Sequence, residues 1–322
     1  MANSNVNAAW KNDLYPLVKK TYDFSYEEFM SKLLQIVSEI DSKSIDYRMA
    51  GLGGYGELPA YDGTQLASLN QKRGFVTIIN PAERGGAIDI TRRYANTDLS
   101  GEAQKVGRRA ARTTAMTVQL ALLRMFGKFA DSSQLGGDGK AWGATDHPIA
   151  SKGDAGGVST ADADAGTYSN LITSALSVSA ITTAQTLANR FVTPDGLPIG
   201  VDMQDSGILL VSPELEPKAI EICGKDAKMS PMKLPETAEN GANPVYGLKY
   251  MVIGGGNDGF SAKQWAIADM NLLKETTGIV YIERPNVLRT ELDNPLIDRY
   301  VPYVDFGVGF GDSRSIIFSN PS

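Results

Sequence analysis

Hydrophobic and polar positions divide this chain into segments of different period. Phe29, Leu33, Ile36, Val37 and Ile40 recur at helical spacing, with Ser25 as N-cap and Glu27 and Glu28 in the first turn, and predict a short helix. Residues 1–24 before it are polar with scattered aromatics (Trp10, Tyr15, Tyr22) and read as an arm. From Gly51 the pattern turns β-leaning and glycine-punctuated. Arg73–Ile79 and Ala87–Tyr94 are strand-like, with a turn signal at Asp62-Gly63. A two-stranded excursion of this kind is marginal alone in water, so it predicts a surface for the segment to lie on. A long helix follows over about Leu99–Lys128, capped by Thr97 or Asp98 and about 45 Å long. Ala103, Val106, Ala110, Thr117 and Ala121 share a small-residue face. Gly101 and Gly107 each cost about 1 kcal/mol against Ala, which predicts fraying or bending of the first turns.

The second half reads differently. Residues 131–166 are rich in Gly, Asp and Ala and predict a long surface loop. A helix over Ser179–Phe191 places Ile181, Ala184, Leu187 and Ala188 inward, and Pro194–Pro198 breaks the chain at an expected domain boundary. Residues 195–276 then read as a compact α/β unit. It has a buried strand Gly207–Val211, a helix capped by Ser212 with Pro213 at its first position, and strands at Leu248–Ile253 and Trp265–Ala268. Leu215, Ala219, Ile220 and Cys223 line that helix. The closing segment alternates strands and turns at Ile279–Ile282, Tyr300–Phe310 and Ser315–Phe318. No internal repeat is visible.

Composition narrows the function. The chain has 322 residues, enough for one large or two modest domains, with 42% hydrophobic and 21% charged residues. Its net charge of -6 makes the surface as a whole unsuited to nucleic acid, so any such contact must come from a local patch. With one cysteine, Cys223, no intrachain disulfide forms, which fits a reducing compartment. Met1–Lys20 lacks the apolar stretch of a secretory signal, and no run reaches the length of a membrane span.

Candidate chemistry is sparse. Gly51, Gly53 and Gly56 spell G-x-G-x-x-G, but Glu57-Leu-Pro-Ala and the turn at Asp62-Gly63 leave no room for the helix that would aim its N-terminus at a pyrophosphate. A nucleotide-binding enzyme is therefore the disfavoured alternative. His147 is the single histidine, lies beside Pro148 in a polar loop, and reads as a structural hydrogen-bonding group. Cys223 falls on an apolar helix face, where a buried, inert thiol is expected. No metal-ligand spacing is present, and Asp138, Asp146, Asp154, Asp162 and Asp164 lack the order of a calcium loop. One charge pattern rises above background: Lys105, Arg108, Arg109 and Arg112 at i, i+3, i+4 and i+7. Three readings stand for it: phosphates, acidic groups of a neighbouring subunit, or a solvated helix face.

The order of parts along the chain resembles a known family. Gly51-Leu-Gly-Gly54 with Glu57 and Tyr61-Asp62, Gly86–Thr91 with Asp98-Leu99, and Gly137-Asp138-Gly139 with His147-Pro148 follow one another in sequence. Leu176-Ser177, Ile208–Pro213 and Phe306–Arg314 complete the series. Together these resemble tailed-bacteriophage major capsid proteins of the HK97 fold, particularly those similar to phage Mu-like major head subunits. The chain departs from that pattern at Arg92-Arg93, where acidic residues are commoner, and over 224–244, which is Pro-rich.

The resemblance implies an α+β HK97-like fold: an N-terminal arm (1–24), a helix leading to the peripheral (P) domain (25–50) and an extended β loop, the E-loop (51–86). The P domain would hold the spine helix and the 131–166 loop (87–194) and the C-terminal strands (277–322), with an axial (A) domain at 195–276. It implies self-assembly into hexamers and pentamers of an icosahedral head around double-stranded DNA, made in the host bacterial cytoplasm. Scaffolding, portal and decoration proteins are the implied partners; no catalytic residue, cofactor, metal or membrane is. Leu58, Tyr61 and Leu66 would be intersubunit E-loop contacts, and the basic stripe would face the lumen or a neighbouring subunit. Some relatives crosslink Lys to Asn between subunits, which makes Lys72 a candidate. Encapsulin-type shells share the fold and are the nearest alternative.

Overall fold

The computed structural model of the chain describes residues 5–30, 33–53, 56–61, 63, 66, 68–69, 74–91, 93, 102–155, 158–224, 243–290 and 297–321. Thr97, Asp98, Lys72, Arg92 and most of 224–244 lie outside the described residues.

Two long antiparallel strands, Thr277–Thr290 and Ile297–Phe310, form the central hairpin. Ser38–Asp41 adds in parallel to its first strand, and Ala82–Gly85 and Ile88–Thr91 add antiparallel to its second. The helix Glu102–Gly127 packs on this sheet through Ala115, Val118, Leu122, Met125 and Phe126, alongside Tyr281, Val304 and Phe306. A second sheet runs in the order Leu171–Ile172, Ile316–Ser319, Trp265–Asp269, Gly207–Val211, Lys249–Val252.

That second sheet joins two cores. Ile208, Leu210, Ala266, Ala268, Ile316 and Phe318 pack toward the long helix, while Leu209, Val211, Trp265, Ile267 and Ile317 pack toward the helices Val178–Ala188 and Glu216–Cys223. Alternate residues of one strand thus enter different cores. This is why Gly207–Val211 reads as an unbroken apolar run rather than an alternation. The second core draws residues from both sides of Pro194–Pro198, from Leu176 to Ile267 and on to Ile317.

Several sequence expectations are corrected. The N-terminal helix is Asn5–Met30, so the expected arm and the expected helix start are one continuous helix with Pro16 inside it. Ser25 is buried mid-helix rather than capping it. Val18, Tyr22 and Met30 supply the buried face, and Ile40 belongs to a strand. The strand-like segments near 73–79 and 87–94 form Val76–Ile79 and Ile88–Thr91 but do not pair with each other: the first pairs with Tyr47–Ala50, the second with the central hairpin. The buried face of the long helix runs through Gly107, Ala110, Ala111, Thr114, Ala115, Val118 and Leu122, rotated from the expected small-residue face, so Val106, Thr117 and Ala121 lie at its margin.

The 131–166 segment is not only surface loop. Trp142 is buried, stacked on Phe310 at 4.8 Å, and its neighbour Gly143 leaves room for the Phe129 and Phe318 rings. Ser212 does not cap its helix; its Oγ donates to Ala262 O at 3.1 Å and a 3-10 turn, Pro213–Leu215, intervenes. Asp269 caps a further helix, Met270–Thr276, which no periodicity announced.

Gly107 is where the two longest helices cross. A Cβ there would lie 2.6 Å from Val18 O, inside contact distance of another backbone. The glycine permits the approach of Asn5–Met30 onto Glu102–Gly127 rather than bending the helix. Substituting Gly107→Ala gains about 1 kcal/mol of helix propensity. Forcing the backbones apart costs about 1–3 kcal/mol and wins. The expected outcome is a lower thermal midpoint by circular dichroism for the folded subunit; an unchanged or raised midpoint would show that the helices separate freely.

Candidate assembly surface

A buried polar node ties five segments together. Asn170 is fully buried, and the two hydrogens of its Nδ2 are shared among three carbonyls: Trp142 O at 2.8 Å, Ser313 O at 3.1 Å and Ile316 O at 3.2 Å. That fixes Oδ1 as the acceptor, reached by Ala144 N at 3.0 Å and by His147 Nε2 at 3.1 Å. His147 thus faces Asn170 through Nε2, and its Nδ1 pairs with Asp138 Oδ2 at 2.6 Å. Asp138 Oδ1 accepts from Lys140 N at 3.1 Å. The residues of the Gly137–Gly139 and His147-Pro148 motifs thus meet in one hydrogen-bonded chain.

The same node continues to the C-terminal strand. Arg314 is buried; its Nη1 donates to Asp312 Oδ2 at 3.2 Å and its Nη2 to Ile149 O at 2.6 Å. Its guanidinium lies 4.9 Å from the centre of the Tyr168 ring, which stacks on His147 from the other side. Tyr168 bonds Ser313 at 2.7 Å. Burial pushes the Tyr168 phenol far above its usual range; the Asp312 carboxylate adds to this and Arg314 opposes it.

This node holds the root of the glycine-rich loop. Leu52 N donates to Asp312 Oδ2 at 2.9 Å, Gly51 N to Phe75 O at 2.7 Å, and Gly137 N to Thr77 Oγ1 at 2.8 Å. The two sides of the loop cross at Gly51 and Gly74, where a Cβ on Gly74 would lie 2.7 Å from Gly51 C. Gly51, the first glycine of G-x-G-x-x-G, is thus used for a backbone crossing. Beyond the root, Leu58 is 75% exposed, Tyr61 65% and Leu66 86%. These three apolar side chains are held out from the body on a root that is pinned on both sides.

The basic stripe is exposed along the first half of the long helix at Lys105, Arg108, Arg109 and Arg112. Arg108 approaches Glu28 at 4.0 Å with both side chains more than half exposed. Sequence reasoning missed Asn170, Asp312 and Arg314 as site residues. Asp312 and Arg314, charges set among Phe306–Phe318, carried a readable signal; Asn170 carried none. Cys223 is buried and forms no disulfide. Among the described residues no cluster of potential metal ligands occurs, and no helix is long and apolar enough to cross a membrane.

No family model matches the chain, and no curated protein matches it in sequence. Solved structures do. The capsid of a native GTA particle is 13% identical and covers 91% of this chain and 90% of its own, with a TM-score of 0.52. The mature capsid of bacteriophage PhiM1 is 12% identical, with 89% and 86% covered and a TM-score of 0.50. The fold of this chain is the α+β HK97-like fold of capsid subunits.

Replacing Asn170 with Ala strands three carbonyls and two N–H donors in the interior, at about 1–3 kcal/mol for a single unsatisfied group. The expected loss in urea denaturation is about 3 kcal/mol or more. Asp312→Ala should instead speed proteolytic nicking within 51–75 ahead of the rest of the chain, read by mass spectrometry of the first cut; a first cut elsewhere would dissociate the node from the loop root.

Proposed function

We propose that this chain is a major capsid protein that self-assembles into hexamers and pentamers of an icosahedral bacteriophage head enclosing double-stranded DNA. The observation that carries this reading is the HK97-like fold combined with a pinned loop whose apolar residues, Leu58, Tyr61 and Leu66, stand in solvent in the single subunit. The role is structural rather than catalytic, and the protein's place is the virion capsid.

Assembly proceeds through distributed contacts. The loop of one subunit lies over its neighbour and buries those three residues. Obligate interfaces bury roughly 2,000 Å² or more, so many modest contacts close a shell without any one being strong. In this reading the N-terminal helix, the long helix, the 131–166 loop and the C-terminal strands form the P domain, 51–86 the E-loop, and 195–276 the A domain at the capsomer centre. Lys105, Arg108, Arg109 and Arg112 serve either the packaged DNA or scaffold inside the head or a neighbouring subunit. Scaffolding, portal and decoration proteins are the further partners this role implies. Lys72 is the candidate for an intersubunit crosslink, which denaturing gel electrophoresis of particles reads directly.

Deleting Gly53–Arg73 removes the loop beyond its root. The expected product is a folded, soluble subunit that forms no shells by negative-stain electron microscopy. Normal particles would refute the loop's role, and particles carrying cargo protein instead of DNA would assign the chain to encapsulin-type shells.

The triple variant Arg108→Gln, Arg109→Gln, Arg112→Gln should lower particle yield or DNA content. Fewer cations then face phosphate, so the salt dependence of DNA retention should flatten as well. Wild-type yield and DNA content would leave the stripe a solvated helix face.

A further inference from the structure

Three carboxylates line up across three strands of the central sheet. Asp305 is directly opposite Glu83 on one side and Glu283 on the other. Directly opposed residues share a face of the sheet. A bulge creates the alignment: Tyr281 pairs with Phe306 but Glu283, not Ile282, pairs with Asp305, so one extra residue places an acid where an apolar side chain would have stood.

The row is unfavourable within one subunit. Asp305 is only 8% exposed, its Oδ1 is buried without a hydrogen-bond partner, and no ion pair reaches it among the described residues. Like charges directly opposed destabilise a sheet, and a buried unpaired carboxylate costs more. Burial, with Glu83 adding, pushes the Asp305 carboxyl above its usual range. The Tyr303 phenol is raised by burial and then by Glu83, Asp305 and Glu283 together. The arginines on the same strands are committed elsewhere. Arg84 lies over the Phe306 ring, Arg284 holds Asp41 and Glu39, Arg289 holds Asp298, and Arg299 holds Asp89.

We propose that Glu83, Asp305 and Glu283 are the docking site for the basic stripe of a second copy of this chain. The lengths agree. Two interstrand spacings make the acidic row about 10 Å long, and the seven-residue step from Lys105 to Arg112 spans about 10 Å of helix. The signs agree as well: exposed Glu83 and Glu283 flank a recessed carboxylate, facing four exposed cations. Arg108 leaves its long, solvent-exposed contact with Glu28 at little cost. A cation seated on Asp305 is desolvated and so contributes more than a rim pair. The bulge and the buried acid then have a reason to persist despite their cost to the isolated subunit.

This inference rests on the shell reading, and charge reversal separates the two. If the wild-type chain forms no particles, the shell reading itself fails. If it does, Glu83→Lys with Glu283→Lys should lower particle yield roughly tenfold or more, as should Arg108→Glu with Arg112→Glu. All four substitutions in one chain restore the complementary signs and should recover most of the yield. Failure of that combination to recover, or wild-type yield from either pair alone, overturns the proposal. Asp305→Asn in the dissociated subunit should leave the urea midpoint unchanged or raise it. A lower midpoint would mean that Asp305 is satisfied inside its own chain, and would overturn the proposal too.

Discussion

The buried node around Asn170 is the interaction on which the rest depends. One amide side chain holds three carbonyls, an N–H and a histidine, and so fixes the end of the 131–166 segment against the C-terminal strand. From there the chain Asp312–Leu52 and Thr77–Gly137 reaches the loop root. Buried polar groups are costly without hydrogen-bond partners, so the bonds of this node favour one arrangement of its segments, although Arg314 Nε and Trp142 Nε1 have no partner among the described residues. In this fold that arrangement decides where a 20-odd-residue apolar-tipped loop leaves the body. If the loop reaches a neighbouring subunit, as proposed, a fixed departure point sets where it lands.

Close backbone approach is the second constraint. At Gly107 the N-terminal helix meets the long helix, at Gly127 the long helix meets Gly259 with a Cβ distance of 2.3 Å, and at Gly51 and Gly74 the loop crosses itself. The first two contacts join other elements to the long helix that packs on the central hairpin. The second sheet works in the same sense, burying alternate residues in two cores so that neither moves without the other.

Much of the body was legible in the chain. The long helix, the strand Gly207–Val211, the helix near Ser179 with Ile181, Ala184 and Ala188 inward, and the buried Cys223 all follow from periodicity and caps. The misreadings have particular causes. A polar run with scattered aromatics made the first 24 residues look like an arm, although Val18 and Tyr22 are buried and Val18 packs over Gly107. Arg284, Pro285 and Asn286 hid the continuation of a 14-residue strand whose bulge absorbs them. Gly and Asp density hid Trp142, because a segment poor in apolar residues can still place one large ring at the centre of an aromatic cluster.

The sequence alone determined the periodic elements and the basic stripe. Each of these depends on residues within about two helical turns or one strand of each other, and local spacing encodes them. Only the tertiary structure decided that Asp138, His147, Asn170, Asp312 and Arg314 form one node, that Gly51 serves a crossing, and that Glu83, Asp305 and Glu283 stand in a row. Asn170 and Ser313, like Glu83 and Asp305, stand more than a hundred positions apart, and the register that joins them is set by hairpin pairing, a one-residue bulge and buried hydrogen bonds. No local pattern carries that information.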